Sequence, residues 1–213
     1  MTKRTWTGLE HIPATGGVII TPNHHSHTDP LICAHFVYDA GRWPRFLGKA
    51  SIFKVPIVGK IILRAQQIPV ERGSVDAAKS LEALTAAIRE GGAVIMYPEG
   101  TTTREPGLWP MQGKTGAARL ALATGAPVIP VAMWGAHRFF DPRTKKVGLR
   151  PRTPISIAAG PPVDFGKWAG AEPTRAILEE MTGEIMLRVR DLLAEIREET
   201  PPPLWAPVKG DHA

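Results

Sequence analysis

Six short apolar runs rich in Val and Ile punctuate the chain: "GVIITP" (17–22), "RFLGK" (45–49), "QQIPV" (66–70), "AVIMYP" (93–98), "PVIPVAM" (127–133) and "ISIAAG" (155–160). Each is brief and bounded by Gly, Pro or polar residues, the pattern of strands buried on both faces. Helical periods fall between several of them. In "SVDAAKSLEALTAAIREGG", Ala77, Leu81, Leu84 and Ile88 share a face, Ser74 can cap the start and Gly91 can end it. "KTGAARLALATGA" reads as a helix from Lys114 to Thr124 closed by Gly125, and Leu178, Met181, Ile185, Val189, Leu192 and Ile196 repeat at helical spacing. Such alternation implies an α/β fold: a single domain with a mixed, largely parallel sheet flanked by helices. The domain is expected over 1–200, with "PPPLWAPVKGDHA" (201–213) as an extended, Pro-rich disordered tail. Reactive groups in these folds sit on loops beyond the carboxyl ends of strands. Both "NHHSHTD" (23–29) and "PEGTTTR" (98–104) follow predicted strands, so one rim can hold them together.

Length and charge set outer bounds. At 213 residues, 43% hydrophobic, the chain can bury one sizeable core. Lys and Arg outnumber Asp and Glu by 26 to 20, which favours anionic partners such as phosphorylated small molecules, lipid headgroups or nucleic acid. The basic residues are dispersed and no nucleic-acid motif occurs, so no nucleic-acid partner is expected. One cysteine, Cys33, excludes an internal disulfide and a four-cysteine zinc site, and its apolar neighbours suit a buried small hydrophobe. No apolar run approaches the roughly 20 residues that span a bilayer, and the N-terminus lacks the shape of a signal peptide.

Three of the seven histidines and an aspartate crowd into residues 24–29. Three readings of this cluster are open. His25 and His27 alternate and could face one metal ion with Asp29, as in a zinc hydrolase. Asp29 precedes Pro30 and could simply cap a helix. Alternatively, His24 and Asp29, with four residues between them, could fold back into a dyad. The carboxylate would then fix the imidazole tautomer while the other nitrogen takes a proton from a substrate hydroxyl.

The residues "NHHSHTD" resemble the Asn-His-x-Ser-x-x-Asp block that opens the glycerolipid acyltransferases, the 1-acylglycerol-3-phosphate acyltransferase superfamily. "GKASIFKVPIVGKIILRAQQIPVERG" (48–73), "YPEGTTTR" (97–104) and "APVIPVAMWG" (126–135) are similar to its later blocks, in the same order. The resemblance implies a glycerol-3-phosphate acyltransferase-like fold. It also implies transfer of a fatty acyl group from acyl-CoA or acyl-ACP (acyl carrier protein) to the free hydroxyl of a lysophospholipid acceptor, most simply yielding phosphatidate. It implies no cofactor and no metal. His24 would be the general base and Asp29 its orienting partner. Asn23 and Ser26 would stand beside them, holding the loop at the substrate site. Phosphate recognition would fall to Arg72 and the Glu99-Gly100-Thr101 turn, with charge added by Lys49 and Arg104. Glu99 is odd beside an anion and would orient Arg72 or bind an acceptor hydroxyl.

Two departures from the family pattern stand out. Thr102 and Thr103 intervene between Thr101 and Arg104, where many relatives have arginine at once. The seventeen residues "MTKRTWTGLEHIPATGG" are too short for the amphipathic segment that usually precedes the first strand. Peripheral contact with the cytoplasmic face of the cell membrane is therefore expected from "FKVPIVGKIIL" (53–63) or from "GLWPM" (107–111) with Trp109. The same isoleucines, Ile57, Ile61 and Ile62, would also suit an ordinary core.

Overall fold

The structure, a computed structural model, describes residues 3–70, 76–148 and 152–206. Arg72, Ser74 and the last seven residues of the tail lie outside them. The elements run β1 (Lys3–Thr7), β2 (Val18–Pro22), α1 (Asp29–Asp39), β3 (Pro44–Lys49), α2 (Ala50–Phe53), α3 (Val58–Arg64) and β4 (Ile68–Val70). There follow α4 (Asp76–Arg89), β5 (Ala93–Ile95), α5 (Gly116–Thr124), β6 (Val128–Trp134), β7 (Phe140–Asp141), β8 (Lys146–Val147), β9 (Pro154–Ala159) and α6 (Arg175–Arg197).

Seven strands form one sheet in the order β1-β9-β6-β2-β5-β3-β4. All neighbours are parallel except β6 and β9, so the sheet is mixed and largely parallel. The short β7–β8 hairpin stands apart. Successive strand residues point to opposite faces. Ile19 therefore joins Leu84, Ile88, Leu120, Met181 and Ile185 under α4, α5 and α6. Val18 and Ile20 turn the other way, to Phe36, Val37 and Cys33 of α1. The α/β/α sandwich follows from that alternation.

Helix α5 starts at Gly116, two residues after the expected Lys114, and ends at the expected Thr124. Gly125, with φ 67°, ends α5 and its N–H reaches Ala121 O. Thr174 caps α6 by accepting from Ile177 N–H, and the helix runs 23 residues. Over its last turns Leu193 is the fully buried residue, while Leu192 and Ile196 are partly buried against the cluster it forms with Trp109 and Ala132.

Three expectations are corrected. Pro201–Ala206 is extended but docked: Trp205 bridges to Met111, and Gln112 N–H donates to Trp205 O at 2.9 Å. Trp109 is buried, with the Arg197 guanidinium 4.1 Å from its ring and 4.3 Å from that of Trp134. It belongs to an internal cluster with Ala132 and Leu193. Ile57 and Ile61, by contrast, are exposed instead of forming core.

Candidate active site

The parallel register aligns the loops of the rim. Ile20 pairs with Ile95, and Ile95 with Phe46, so His24, Glu99 and Ala50 each lie four residues beyond one level. That places the "NHHSHTD" loop, the "PEGTTTR" turn and the start of α2 side by side.

The first loop is organised by Asp29. Its Oδ2 accepts from the backbone N–H groups of His25 (2.7 Å) and Ser26 (2.8 Å), and lies 2.9 Å from Nδ1 of His24. Asp29 thus opens α1 with its carboxylate turned back onto the preceding loop, while the N-cap residue Thr28 makes no side-chain cap bond. The carboxylate is fully buried, whereas the His24 side chain keeps 15% exposure. A buried carboxylate bonded to Nδ1–H holds the imidazole in the tautomer whose Nε2 is free to accept a proton. Nε2 has no protein hydrogen-bond partner among the described residues. The ring of Tyr97 backs the imidazole, with centroids 4.4 Å apart.

Asn23, Ser26 and Glu99 are buried, and their side-chain polar atoms bond to backbone groups of neighbouring segments. Asn23 is buried and braces β6: its Oδ1 accepts from Met133 N–H at 2.7 Å, and its Nδ2 donates to Met133 O at 3.1 Å. The Ser26 hydroxyl donates to Phe140 O at 2.6 Å. Glu99 joins the loops: Oε1 accepts from His24 N–H (2.8 Å) and Oε2 from Met111 N–H (3.1 Å). Burial pushes its carboxyl up to about 8 against those two donors, which pull it down. Both oxygens are thus buried and held by backbone donors. Thr103 adds a clasp, its N–H donating to His24 O at 2.6 Å and its hydroxyl to Trp109 O.

The remaining predicted residues surround this frame. Gly100, Thr101 and Arg104 are exposed on the turn beside His24, and Lys49 ends β3 on the same rim. Gly100 adopts φ 70°, a left-handed conformation that favours glycine. The Lys114 side chain lies across it, so a Cβ at position 100 would fall 2.9 Å from Nζ. The sequence signalled neither Lys114 nor Tyr97 firmly, because both contacts depend on how the turn folds back.

The other histidines diverge. His25 is buried and stacked on Trp134, and burial lowers its pKa; His137 lies beside it and is lowered to about 4, chiefly by burial. His27 packs on Phe140. His25 and His27 therefore do not converge on a shared ion. Among the described residues no group of three or more His, Cys, Asp or Glu could hold one.

A family model for acyltransferases matches residues 3–134. The chain is 34% identical over 135 residues to a 1-acyl-sn-glycerol-3-phosphate acyltransferase of Borreliella burgdorferi, a match covering 63% of this chain and 52% of that one. It is 25% identical over 187 residues to the Salmonella typhimurium protein of the same name, covering 86% and 71%. The chain thus spans about half the length of the Borreliella relative. Among solved structures it is similar to the 1-acyl-sn-glycerophosphate (LPA) acyltransferase PlsC from Thermotoga maritima. The TM-score is 0.68 at 22% identity, with 94% of this chain and 75% of that one covered.

Proposed function

The chain belongs to the acyltransferase family, and on that footing we propose that it moves a fatty acyl group from a thioester to the free hydroxyl of 1-acylglycerol-3-phosphate, giving phosphatidate. The donor is acyl-CoA or acyl-ACP, no cofactor takes part, and the protein works at a membrane surface. The observation carrying this reading is the buried Asp29 carboxylate 2.9 Å from Nδ1 of a partly exposed His24. Both residues sit at the positions of the family's first block.

The chemistry follows from that pair. Nε2 of His24 takes the acceptor's hydroxyl proton as its oxygen attacks the thioester carbonyl carbon. Asp29 steadies the imidazolium that results. The tetrahedral intermediate collapses, the C–S bond breaks, and the departing thiolate recovers the proton from His24. No covalent enzyme intermediate is needed. The acceptor's phosphate is read by exposed cations on the neighbouring turn, Arg104 and Lys114, together with Lys49 and Arg72. Lysophosphatidate from the named relatives suits such a cationic turn.

The test is direct. Purified protein is incubated with acyl-CoA or acyl-ACP and a panel of lysolipids, and products are identified by mass. Phosphatidate is expected from lysophosphatidate, and none from the His24→Ala variant. Product from a different acceptor alone would overturn the assigned headgroup; no acylated product with any acceptor would overturn the reading altogether.

A further inference from the structure

Ten large apolar side chains are exposed among the described residues, and six of them, Ile52, Val55, Ile57, Val58, Ile61 and Leu63, fall within one stretch of α2 and α3. The inner side of this stretch is accounted for. Phe53 packs on Gly48, where a Cβ would lie 2.7 Å from its ring, and Gly59 is buried against the backbone of Phe53. On the outer side these six side chains are left exposed among the described residues. Trp43, itself 51% exposed, borders the patch and donates from Nε1 to Ala65 O at 2.8 Å.

The tip is held out at a cost. Ile57 has φ 69° and ψ −61°, and Val58 N–H donates to Pro56 O at 2.8 Å. This is the rarer, strained γ-turn, in a region β-branched residues avoid. Glycine would make the same turn freely. Instead the chain carries an isoleucine there, 72% exposed. Strain retained at one point is a pointer to use.

Charge identifies the occupant. Residues 40–70 include six basic side chains and no acidic one. Arg42 is buried on backbone carbonyls and Arg45 pairs with Glu90. Lys54, Lys60 and Arg64, which flank the apolar tip, form no ion pair among the described residues. A second copy docked on this face would set like charges against each other. An anionic bilayer satisfies both features, hydrocarbon taking the isoleucines and headgroup phosphates the cations.

We propose that the outer face of α2 and α3, led by Ile57, inserts into the surface of an anionic lipid bilayer. Ala50 begins α2 level with His24 and two strands away, roughly 10 Å at the usual strand spacing. Insertion here would therefore bring the dyad to the depth at which a lysolipid presents its hydroxyl. That consequence rests on the acyl-transfer reading; the binding does not.

Co-sedimentation tests it. The full chain is spun with phosphatidylcholine vesicles that contain or lack phosphatidylglycerol. The wild type is expected to pellet with the anionic vesicles and to be released by salt. Ile57→Asp/Ile61→Asp should lower the partition coefficient at least about tenfold. Lys54→Glu/Lys60→Glu should abolish the preference for phosphatidylglycerol. Both apolar positions are exposed, so the far-ultraviolet circular dichroism of that variant should match the wild type. Wild type left in the supernatant, or an aspartate variant that pellets equally well, would overturn the proposal. So would a wild-type dimer in light scattering that the aspartates split into monomers. Turnover is read separately, with a short-chain thioester and a water-soluble acceptor. There the aspartate variant should keep its kcat, and failure of transfer in the wild type would overturn the reaction while the sedimentation result stood.

Discussion

Tyr97 lies against His24, ring centroids 4.4 Å apart and planes tilted by 36°, so the residue just past β5 backs the imidazole carried by the loop after β2. Its hydroxyl is buried without a hydrogen bond of good geometry, and burial pushes its pKa well above the usual phenol value. The ring, then, matters more than the oxygen. Tyr97→Phe should retain wild-type kcat and stability within measurement. Tyr97→Ala should cost roughly 3 kcal/mol of stability through the lost side-chain volume. It should also lower kcat about tenfold, since an aromatic contact of this kind is worth about 0.5–1.5 kcal/mol. Steady-state kinetics beside thermal melts separate the two effects; an Ala variant that melts early yet turns over normally would deny Tyr97 any positioning role.

His24 and Asp29 should fail in different ways. His24 contributes one side-chain hydrogen bond, to Asp29, and is partly exposed. His24→Ala should therefore lower kcat about 10²–10⁴-fold with little change in Tm. Asp29 also holds two backbone N–H groups of the loop. Asp29→Ala leaves those donors buried and unpaired, at about 1–3 kcal/mol each, so activity and Tm should fall together. Kinetics and melting curves on both variants check this. Equal losses of Tm would mean that His24 is as structural as its partner.

Much of this was legible in the sequence, for identifiable reasons. Strands β2 and β6 announce themselves because both faces are buried, leaving Val and Ile runs without polar interruption. Strand β1, "KRTWT", does not: it is a largely exposed edge strand paired with β9, and Trp6 is its one apolar residue. The hairpin of β7 and β8 is too short to register. The spacing of His24 and Asp29 suggested a dyad, yet that Asp29 also gathers the backbone of residues 25 and 26 is a property of the folded loop. The backbone bonds of Glu99 were hidden because its partners, His24 N–H and Met111 N–H, come from two other segments. Trp109 looked like a surface residue because the guanidinium that covers it arrives from the end of α6. Local pattern reveals what neighbours in sequence decide, and long-range pairing stays hidden.

The anion-reading role of the turn can be tested without disturbing the frame. Arg104 and Lys114 are exposed, and Lys114 lies over Gly100. Lys114→Ala and Arg104→Ala should each raise KM for a phosphate-bearing acceptor about 5–30-fold, the equivalent of one to two kcal/mol for a charged contact. kcat and the KM for the thioester should stay within about twofold. A rise confined to the thioester KM would transfer the cation to the donor's phosphates, and no change in either would remove the residue from the site. Gly100→Ala should mimic the lysine variant, since a Cβ there displaces Nζ and strains a left-handed backbone.

Glu99 predicts a pH dependence of stability with a definite sign. Its carboxyl is raised from the ordinary 4.5 to about 8, mainly by burial. The folded state thus holds this proton more tightly than the unfolded chain does. The corresponding stabilisation is complete below pH 4.5, declines above it and is gone once the pH has passed about 8. Chemical denaturation across pH 5 to 9 should show that falling contribution in the wild type and its absence in Glu99→Gln. The glutamine should also be less stable by about 1–3 kcal/mol at low pH, because its NH₂ cannot accept from both His24 and Met111 N–H. If Glu99→Gln kept the wild-type slope, the carboxyl would be ionised in the folded protein throughout that range, and the two backbone donors would outweigh its burial.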